Sequence, residues 1–180
     1  LLGKIIEAVT DKPLETVYDK FFFRPLGLKH TWLAGYSEPQ ITPSAVPADV
    51  FDGDVNITRI RSNGAYWADG GIVSTAEESI LFLQALKEGR IVDKDTLGLM
   101  HNWRPLNNLP FQYGYGTMYL EFSFIGLGPD APPIWGHSGS PGSFLYYSEE
   151  LDLYMAGTIN QTKNRVAPFM LMMDVIKAID

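Results

Sequence analysis

The sequence has no cysteine, three histidines, and fewer basic than acidic residues. Without cysteine the chain cannot form a disulfide, use a thiolate nucleophile or bind zinc through sulfur. The 14 basic and 21 acidic residues leave a net charge of -7, which disfavours binding to nucleic acid and to anionic lipid surfaces. No apolar run approaches the roughly 20 residues that a membrane-spanning helix needs. We therefore expect a globular protein with neither nucleic acid nor a membrane among its partners.

Metal chemistry is also disfavoured, because the histidines show no metal-ligand spacing; they are His30, His101 and His137. The segment from Asp52 to Asn56 imitates the start of an EF-hand loop. However, Ile57 stands where that loop needs glycine, and Asn63 stands where it needs a bidentate glutamate. We expect a solvated turn there, no metal site and no cofactor.

The 180 residues fit a single domain, whose two parts differ in composition and in predicted secondary structure. Residues 1–110 are mainly helical and loop-like, with apolar helical spacing over 1–9, 14–23 and about 93–103. Overlapping capping boxes, Ser74 with Glu77 and Thr75 with Glu78, predict the start of another helix that runs past Leu86. Residues 35–71 lack a period and predict a long irregular excursion of the kind that lines a site.

Residues 111–180 are rich in aromatic and β-branched residues separated by short turns. This texture predicts strands over 113–122, 134–138, 143–148 and 151–159, the last two joined as a hairpin at Glu149-Glu150. A final helix over 166–179 carries an apolar stripe, predicted at Met170, Met173 and Ile176, that should cover a sheet face. Helices followed by antiparallel strands and a closing helix predict an α+β fold.

One stretch, residues 134–144, combines an apolar strand with a run of small residues that lets a substrate approach a strand edge. By composition alone, a tight hairpin with a surface histidine fits the stretch equally well. Gly136-x-Ser138-x-Ser140 nearly forms the nucleophile elbow of α/β-hydrolases, but it lacks the final glycine and the flanking strand and helix.

The chain resembles the serine β-lactamase and penicillin-binding-protein family, whose third motif is Lys-Thr-Gly or His-Ser/Thr-Gly. His137-Ser138-Gly139 matches the second form. Further blocks resemble the family in the expected order; they begin at Leu1, Pro25, Gly70, Tyr113, Phe144, Glu150 and Thr158. The resemblance therefore covers nearly the whole chain.

The resemblance implies an antiparallel sheet flanked by helices, together with part of a helical subdomain and with the third motif on an edge strand beside the active site. In the family, the serine of a Ser-x-x-Lys motif attacks an acyl carbonyl, and a Tyr-x-Asn tyrosine takes part in proton transfer. The printed sequence contains neither motif. We therefore expect a single partial domain over residues 1–180, with the nucleophile and the first strands of the sheet on a missing N-terminal segment. The chain alone should be inactive.

The same resemblance assigns roles to the residues that are present. His137 would face the substrate and the proton-transfer network, and Ser138 would hydrogen-bond the substrate carboxylate or amide. Gly139 would let the strand lie close, and the backbone N–H of Ser140 would form half of an oxyanion hole. Tyr115 and Asn160 are further candidates for substrate binding, although packing is the alternative for the tyrosine. A helix-capping role fits Asn160, Asn164 and Arg165 better.

The implied function is that of a serine acyl hydrolase that forms an acyl-enzyme on a β-lactam, a D-Ala-D-Ala-like peptide or an ester. The alternative is a noncatalytic module that binds peptides or peptidoglycan fragments. The expected partner is a small-molecule or peptide acyl substrate. Exposed sheet edges would also favour self-association or pairing with the missing segment. Export to the periplasm or the cell exterior is an expectation from the family alone.

Overall fold

The computed structural model describes residues 1–42, 46–58, 66–106, 111–125 and 131–179. Asn63, the last position of the EF-hand comparison, lies outside these residues. Within them, no helix combines the length and the apolar character needed to cross a bilayer.

The first part of the chain is a helical layer. Helix α1 spans Leu2–Thr10, and α2 spans Leu14–Tyr18. A π-helical turn, Asp19–Phe23, joins α2 to α3, Arg24–Leu26, which ends at Gly27 with φ of 71°. The helix predicted over 14–23 therefore continues through Pro25, because the π turn reorganises the hydrogen bonds ahead of the proline.

The excursion over 35–71 is more structured than predicted. Strands β2, Phe51–Asp52, and β3, Val55–Asn56, form a short antiparallel hairpin, whose turn is the predicted solvated turn. Helix α4, Trp67–Gly70, follows. Strand β1, Trp32–Leu33, pairs with β4, Ile72–Val73, so the two ends of the excursion meet.

Helix α5, Ala76–Lys87, begins where the capping pattern predicted, but only half of the capping box forms. Thr75 Oγ1 accepts a hydrogen bond from Glu78 N at 3.2 Å. The Glu78 carboxylate does not return to the cap; it accepts from His30 N at 2.8 and 3.0 Å and from Thr31 Oγ1 at 2.5 Å. Donors from a distant segment, His30 N and Thr31 Oγ1, have therefore replaced the Thr75 backbone N–H that a full capping box would use. Helix α6, Lys94–Met100, is capped by Asp93 and ends before the predicted residue 103.

A six-stranded antiparallel sheet forms the rest of the chain, in the order β10-β9-β8-β7-β6-β5. The strands are Arg104–Pro105, Phe111–Tyr113, Met118–Leu120, Ile134–Ser138, Ser143–Ser148 and Leu153–Thr158, numbered β5 to β10. Strands β8 and β9 have the predicted bounds. The single strand predicted over 113–122 is wrong, because a turn at Gly114–Thr117 splits it into β6 and β7, which form a hairpin.

Helices cover both faces of this sheet, which confirms the α+β prediction. Helix α7, Ala167–Ile179, packs Phe169, Met172, Met173 and Ile176 against one face. Met170, predicted within the buried stripe, is instead 49% exposed, because Phe169 and Met172 face the sheet in its place. Helices α5 and α6 cover the other face through a core made of Leu83, Leu86, Leu97, Trp135 and Tyr147.

Candidate active site

The His-Ser-Gly motif lies at the end of β8, which is an inner strand rather than the edge strand implied by the family resemblance. Strand β7 pairs with β8 only as far as Gly136, opposite Met118. Beyond that point His137 and Ser138 pair with β9 alone, opposite Leu145 and Phe144. The β6–β7 hairpin turns away there, so the end of β8 has an open side although the strand is internal. We call residues 137–140 the open edge.

His137 is held at both ring nitrogens. Its Nε2 lies 2.8 Å from the Tyr113 hydroxyl, and its Nδ1 lies 2.8 Å from the Ser138 carbonyl oxygen. Because a carbonyl oxygen only accepts, Nδ1 must carry a proton. In the neutral ring Nε2 then has no proton and accepts the Tyr113 hydroxyl. The neighbours therefore select one tautomer of an exposed imidazole.

Ser138 is fixed by a buried partner on the next strand. Its hydroxyl lies 2.8 Å from the hydroxyl of Tyr146, a residue with no exposed surface. Burial raises the pKa of Tyr146 to about 12. The phenol therefore stays neutral near pH 7 and orients the Ser138 hydroxyl at the open edge.

The turn after β8 brings a backbone donor to the surface. Gly139 N donates to Ser143 O at 2.8 Å, and Gly142 N donates to Gly139 O at 3.0 Å. A side chain at Gly139 would meet Ser143 Oγ at 2.1 Å, so a larger residue here would require the Ser143 side chain to move. Ser140, at the tip, is exposed, and among the described residues its N–H has no hydrogen-bond partner. A free backbone N–H is suited to receive an oxyanion.

The excursion reaches the rim of this turn through Gln161. Gln161 N donates to Pro141 O at 2.9 Å. The Gln161 side chain pairs with the backbone of Gly53, accepting from its N–H at 2.8 Å and donating to its carbonyl at 3.1 Å. Gly53 is therefore joined through Gln161 to Pro141, the residue that follows the open edge.

The other two predicted substrate-binding residues lie on opposite sides of β8, Tyr115 in the β6–β7 turn and Asn160 after β10. Tyr115 is 71% exposed in the β6–β7 turn, whereas Tyr113 of the same Tyr-Gly-Tyr-Gly block is the tyrosine that contacts His137. The Asn160 side chain accepts from Thr158 Oγ1 at 2.9 Å. Helix capping is confirmed for Asn164, whose Oδ1 accepts from Ala167 N at 3.3 Å.

Sequence reasoning missed Tyr113, Tyr146 and Gln161 as contributors to the site. Tyr113 has a sequence signal, because it begins one of the blocks that resemble the family. Tyr146 and Gln161 have no such signal, since a tyrosine within an apolar strand and a glutamine beyond the end of a strand are both common. In the part of the chain that the structure describes, no group of three or more histidine, aspartate or glutamate side chains is placed to hold a metal ion.

Comparison with known proteins gives a family match and related sequences. The family model described as Beta-lactamase matches residues 1–173. A putative D-alanyl-D-alanine carboxypeptidase of Salmonella typhi is 25% identical over 171 residues, which cover 79% of this chain and 39% of the relative. The chain thus corresponds to about two fifths of the length of that relative.

Two solved structures show the same fold. A D-amino acid amidase from Ochrobactrum anthropi SV3, complexed with L-phenylalanine, aligns with a TM-score of 0.79 and 25% identity, covering 98% of this chain and 54% of that one. An octameric penicillin-binding protein homologue from Pyrococcus abyssi aligns with a TM-score of 0.67 and 22% identity, covering 97% of this chain and 40% of that one.

Proposed function

Since the chain belongs to the beta-lactamase family of serine hydrolases, we propose that it forms the substrate-holding wall of an acyl hydrolase that works through an acyl-enzyme. The observation that carries this proposal is the open edge. It places the His137 imidazole, the Ser138 hydroxyl and the unpaired Ser140 N–H at the end of one strand and the turn that follows it.

Each group has a defined task in the proposed reaction. A serine hydroxyl attacks the acyl carbonyl as its proton passes to the proton-transfer network, and the carbonyl oxygen, which becomes negatively charged, accepts a hydrogen bond from Ser140 N–H. The bond from the acyl carbon to the leaving nitrogen or oxygen then breaks, the leaving group takes the proton, and water hydrolyses the acyl-enzyme to release the acid. Loss of one such donor typically slows an acyl transfer by about 100- to 1000-fold. Ser138 binds the substrate carboxylate or amide, Gly139 permits close approach, and His137 belongs to the proton-transfer network.

The substrate class that we favour is an amide or peptide next to a D-amino acid. Two relatives support this choice, since one is named as a D-alanyl-D-alanine carboxypeptidase and the other as a D-amino acid amidase. β-Lactams and esters remain part of the proposal, because they present a carbonyl to the same set of groups. Tyr115 and Asn160 are proposed to contact the substrate at the ends of the site.

The nucleophile is proposed to come from outside the printed sequence, which has neither Ser-x-x-Lys nor Tyr-x-Asn. The open reading frame tests this directly. We expect it to encode Ser-x-x-Lys, then Tyr-x-Asn, ahead of Leu1, with an export signal before both. A reading frame whose initiator codon immediately precedes Leu1 would favour the noncatalytic binding module instead.

The chain itself gives a second test. Incubated with labelled penicillin, it should form no covalent adduct by mass spectrometry, because the printed sequence has no Ser-x-x-Lys motif. An N-acetyl-D-Ala-D-Ala titration followed by NMR should shift the amide signals of Ser138, Gly139 and Ser140.

A matched pair of variants separates recognition from nonspecific contact. Ser138→Ala should weaken binding about fivefold, the effect of losing one hydrogen bond of ~1 kcal/mol. Ser123→Ala, at an exposed position remote from the open edge in the sequence, should bind like the parent chain. A stoichiometric penicillin adduct, or equal binding by the Ser138→Ala variant, would overturn the assignment.

A further inference from the structure

A row of three polar atoms leads from the open edge into the sheet. The Tyr146 hydroxyl lies 2.8 Å from Ser138 Oγ and 3.6 Å from Met118 Sδ. The register of the strands explains the row, because Gly136 pairs with Met118 of β7 on one side and with Tyr146 of β9 on the other. Residues directly opposite each other lie on the same face of a sheet, and glycine has no side chain to separate these two. Ser138, two residues further along β8, lies on that face as well.

The centre of the row is closed to solvent. Tyr146 has no exposed surface, and the partly buried Met118 packs with it in the core between α7 and the sheet. Among the residues that the structure describes, Tyr146 is the only hydrogen-bond partner of Ser138 Oγ. The Tyr146 proton therefore has two acceptors within reach, Ser138 Oγ and Met118 Sδ.

The protons of the two hydroxyls can be placed in two ways. A thioether sulfur carries no proton and only accepts, whereas each hydroxyl donates one hydrogen bond and also accepts. In the first arrangement Tyr146 donates to Met118 Sδ, Ser138 donates to the Tyr146 oxygen, and the lone pairs of Ser138 Oγ face the open edge. In the second arrangement Tyr146 donates to Ser138 Oγ, and the Ser138 proton is directed at the open edge.

Met118 Sδ is what stabilises the first arrangement. Without this acceptor, donation by Ser138 would leave the buried Tyr146 proton unpaired, which is unfavourable for a donor that water does not reach. Sulfur is a weak acceptor, so it does not hold the Tyr146 proton once Ser138 Oγ is free to accept it. One bond joins the two hydroxyls in both arrangements, and the ligand at the open edge therefore decides between them.

We propose that Met118 and Tyr146 are positioning residues that let Ser138 act as a hydrogen-bond acceptor as well as a donor. A carboxylate, which only accepts, selects the second arrangement, whereas a group that presents N–H donors, such as an amide nitrogen, selects the first. The open edge then binds ligands that carry either group. The inference rests on the proposed function, since it concerns the same contact between Ser138 and the substrate.

Benzoate and the benzamidinium ion test the proposal, because they have nearly the same planar shape and opposite hydrogen-bonding capacity. Benzoate only accepts hydrogen bonds at its charged end, and benzamidinium only donates them. Each is titrated into the chain, and its affinity is measured from the amide NMR signals of Ser138 and Gly139. Met118→Leu removes the sulfur and keeps an apolar side chain of similar size. This variant should weaken benzamidinium about fivefold relative to benzoate, the effect of losing one hydrogen bond.

Two controls separate the proton arrangement from packing. Met155→Leu makes the same change at a buried methionine of the same core, whose sulfur has no hydrogen bond to a described residue, and should leave the ratio of the two affinities unchanged. In a Tyr146→Phe background, Met118→Leu should also leave the ratio unchanged, because the row then has no Tyr146 proton to place. An effect of Met118 on packing alone would persist in that background.

The Tyr146 hydroxyl proton gives a spectroscopic readout in the parent chain. Its NMR chemical shift should differ between the two complexes, because it donates to sulfur in one and to oxygen in the other. Binding of benzoate alone, or an equal affinity ratio in the parent and Met118→Leu chains, would overturn the inference and leave the proposed function standing. If neither probe shifts the Ser138 signal, the proposed function is contradicted together with the inference.

Discussion

At the scale of single residues, the environment of His137 is the clearest case of a role decided by neighbours. The ring is on the surface, where either neutral tautomer is accessible. Two short contacts remove this freedom, because the Ser138 carbonyl requires a proton on Nδ1 and the Tyr113 hydroxyl then donates to Nε2. The lone pair of Nε2 is therefore directed at a hydroxyl rather than at solvent.

Tyr113→Phe tests this arrangement on the chain as it is. Loss of a donor worth ~1 kcal/mol should shift the neutral tautomer ratio of His137 about fivefold toward Nε2–H. Nitrogen-15 chemical shifts of the labelled imidazole measure the ratio without any requirement for activity.

Tyr115→Phe is the matched control, because Tyr115 lies two residues further on, is 71% exposed, and no side-chain hydrogen bond joins it to a described residue. The tautomer ratio of His137 in this variant should equal that in the parent chain. Equal shifts in the two variants would mean that the Tyr113 hydroxyl does not select the tautomer.

At the scale of elements, α5 illustrates how one carboxylate links distant segments. The side chain of Glu78 is buried and accepts hydrogen bonds from the backbone of His30 and the hydroxyl of Thr31, more than 40 positions earlier in the chain. These contacts fasten the loop after α3 to the start of α5. The pattern Thr75-x-x-Glu78 predicted the helix start. It could not predict that the Glu78 carboxylate would bind the distant His30 and Thr31 instead of the backbone N–H of Thr75.

Glu78→Gln should therefore destabilise the fold by about 1–3 kcal/mol, since the new amide group presents a donor where an acceptor is needed. Glu77→Gln is the control, because both carboxylates lie in the first turn of α5 and share the helix-dipole contribution of about 0.3–1 kcal/mol.

The difference between the two variants in urea denaturation isolates the buried hydrogen bonds. Identical free energies of unfolding would contradict the structural role assigned to Glu78.

At the scale of the whole molecule, the sheet ends at β10 on one side. Among the described residues, no strand pairs with the outer side of Leu153–Thr158, and this strand has neither a charged residue nor a proline. An edge of this kind pairs readily with another chain. We therefore expect the isolated chain to self-associate in a concentration-dependent way.

Ala156→Lys should reduce this association, because a charge on an edge strand opposes strand pairing. Leu99→Lys adds the same charge at a 65% exposed position on α6 and should leave the association unchanged. Sedimentation velocity over a range of concentrations measures both, with a thermal melt to verify folding. A parent chain that stays monomeric throughout would contradict the expectation.

The sequence by itself determined the fold class, the bounds of β8 and β9, and the motif at the end of β8, because these depend on local patterns of apolar residues and turns. The tertiary structure alone decided that β8 is an inner strand with an open end, that Tyr113 rather than Tyr115 meets His137, and that Gln161 joins the excursion to the turn that carries Ser140. Those contacts join residues up to 108 positions apart: the register of β6, β7 and β8 brings Tyr113 to His137, whereas a side-chain hydrogen bond outside the strands joins Gln161 to Gly53.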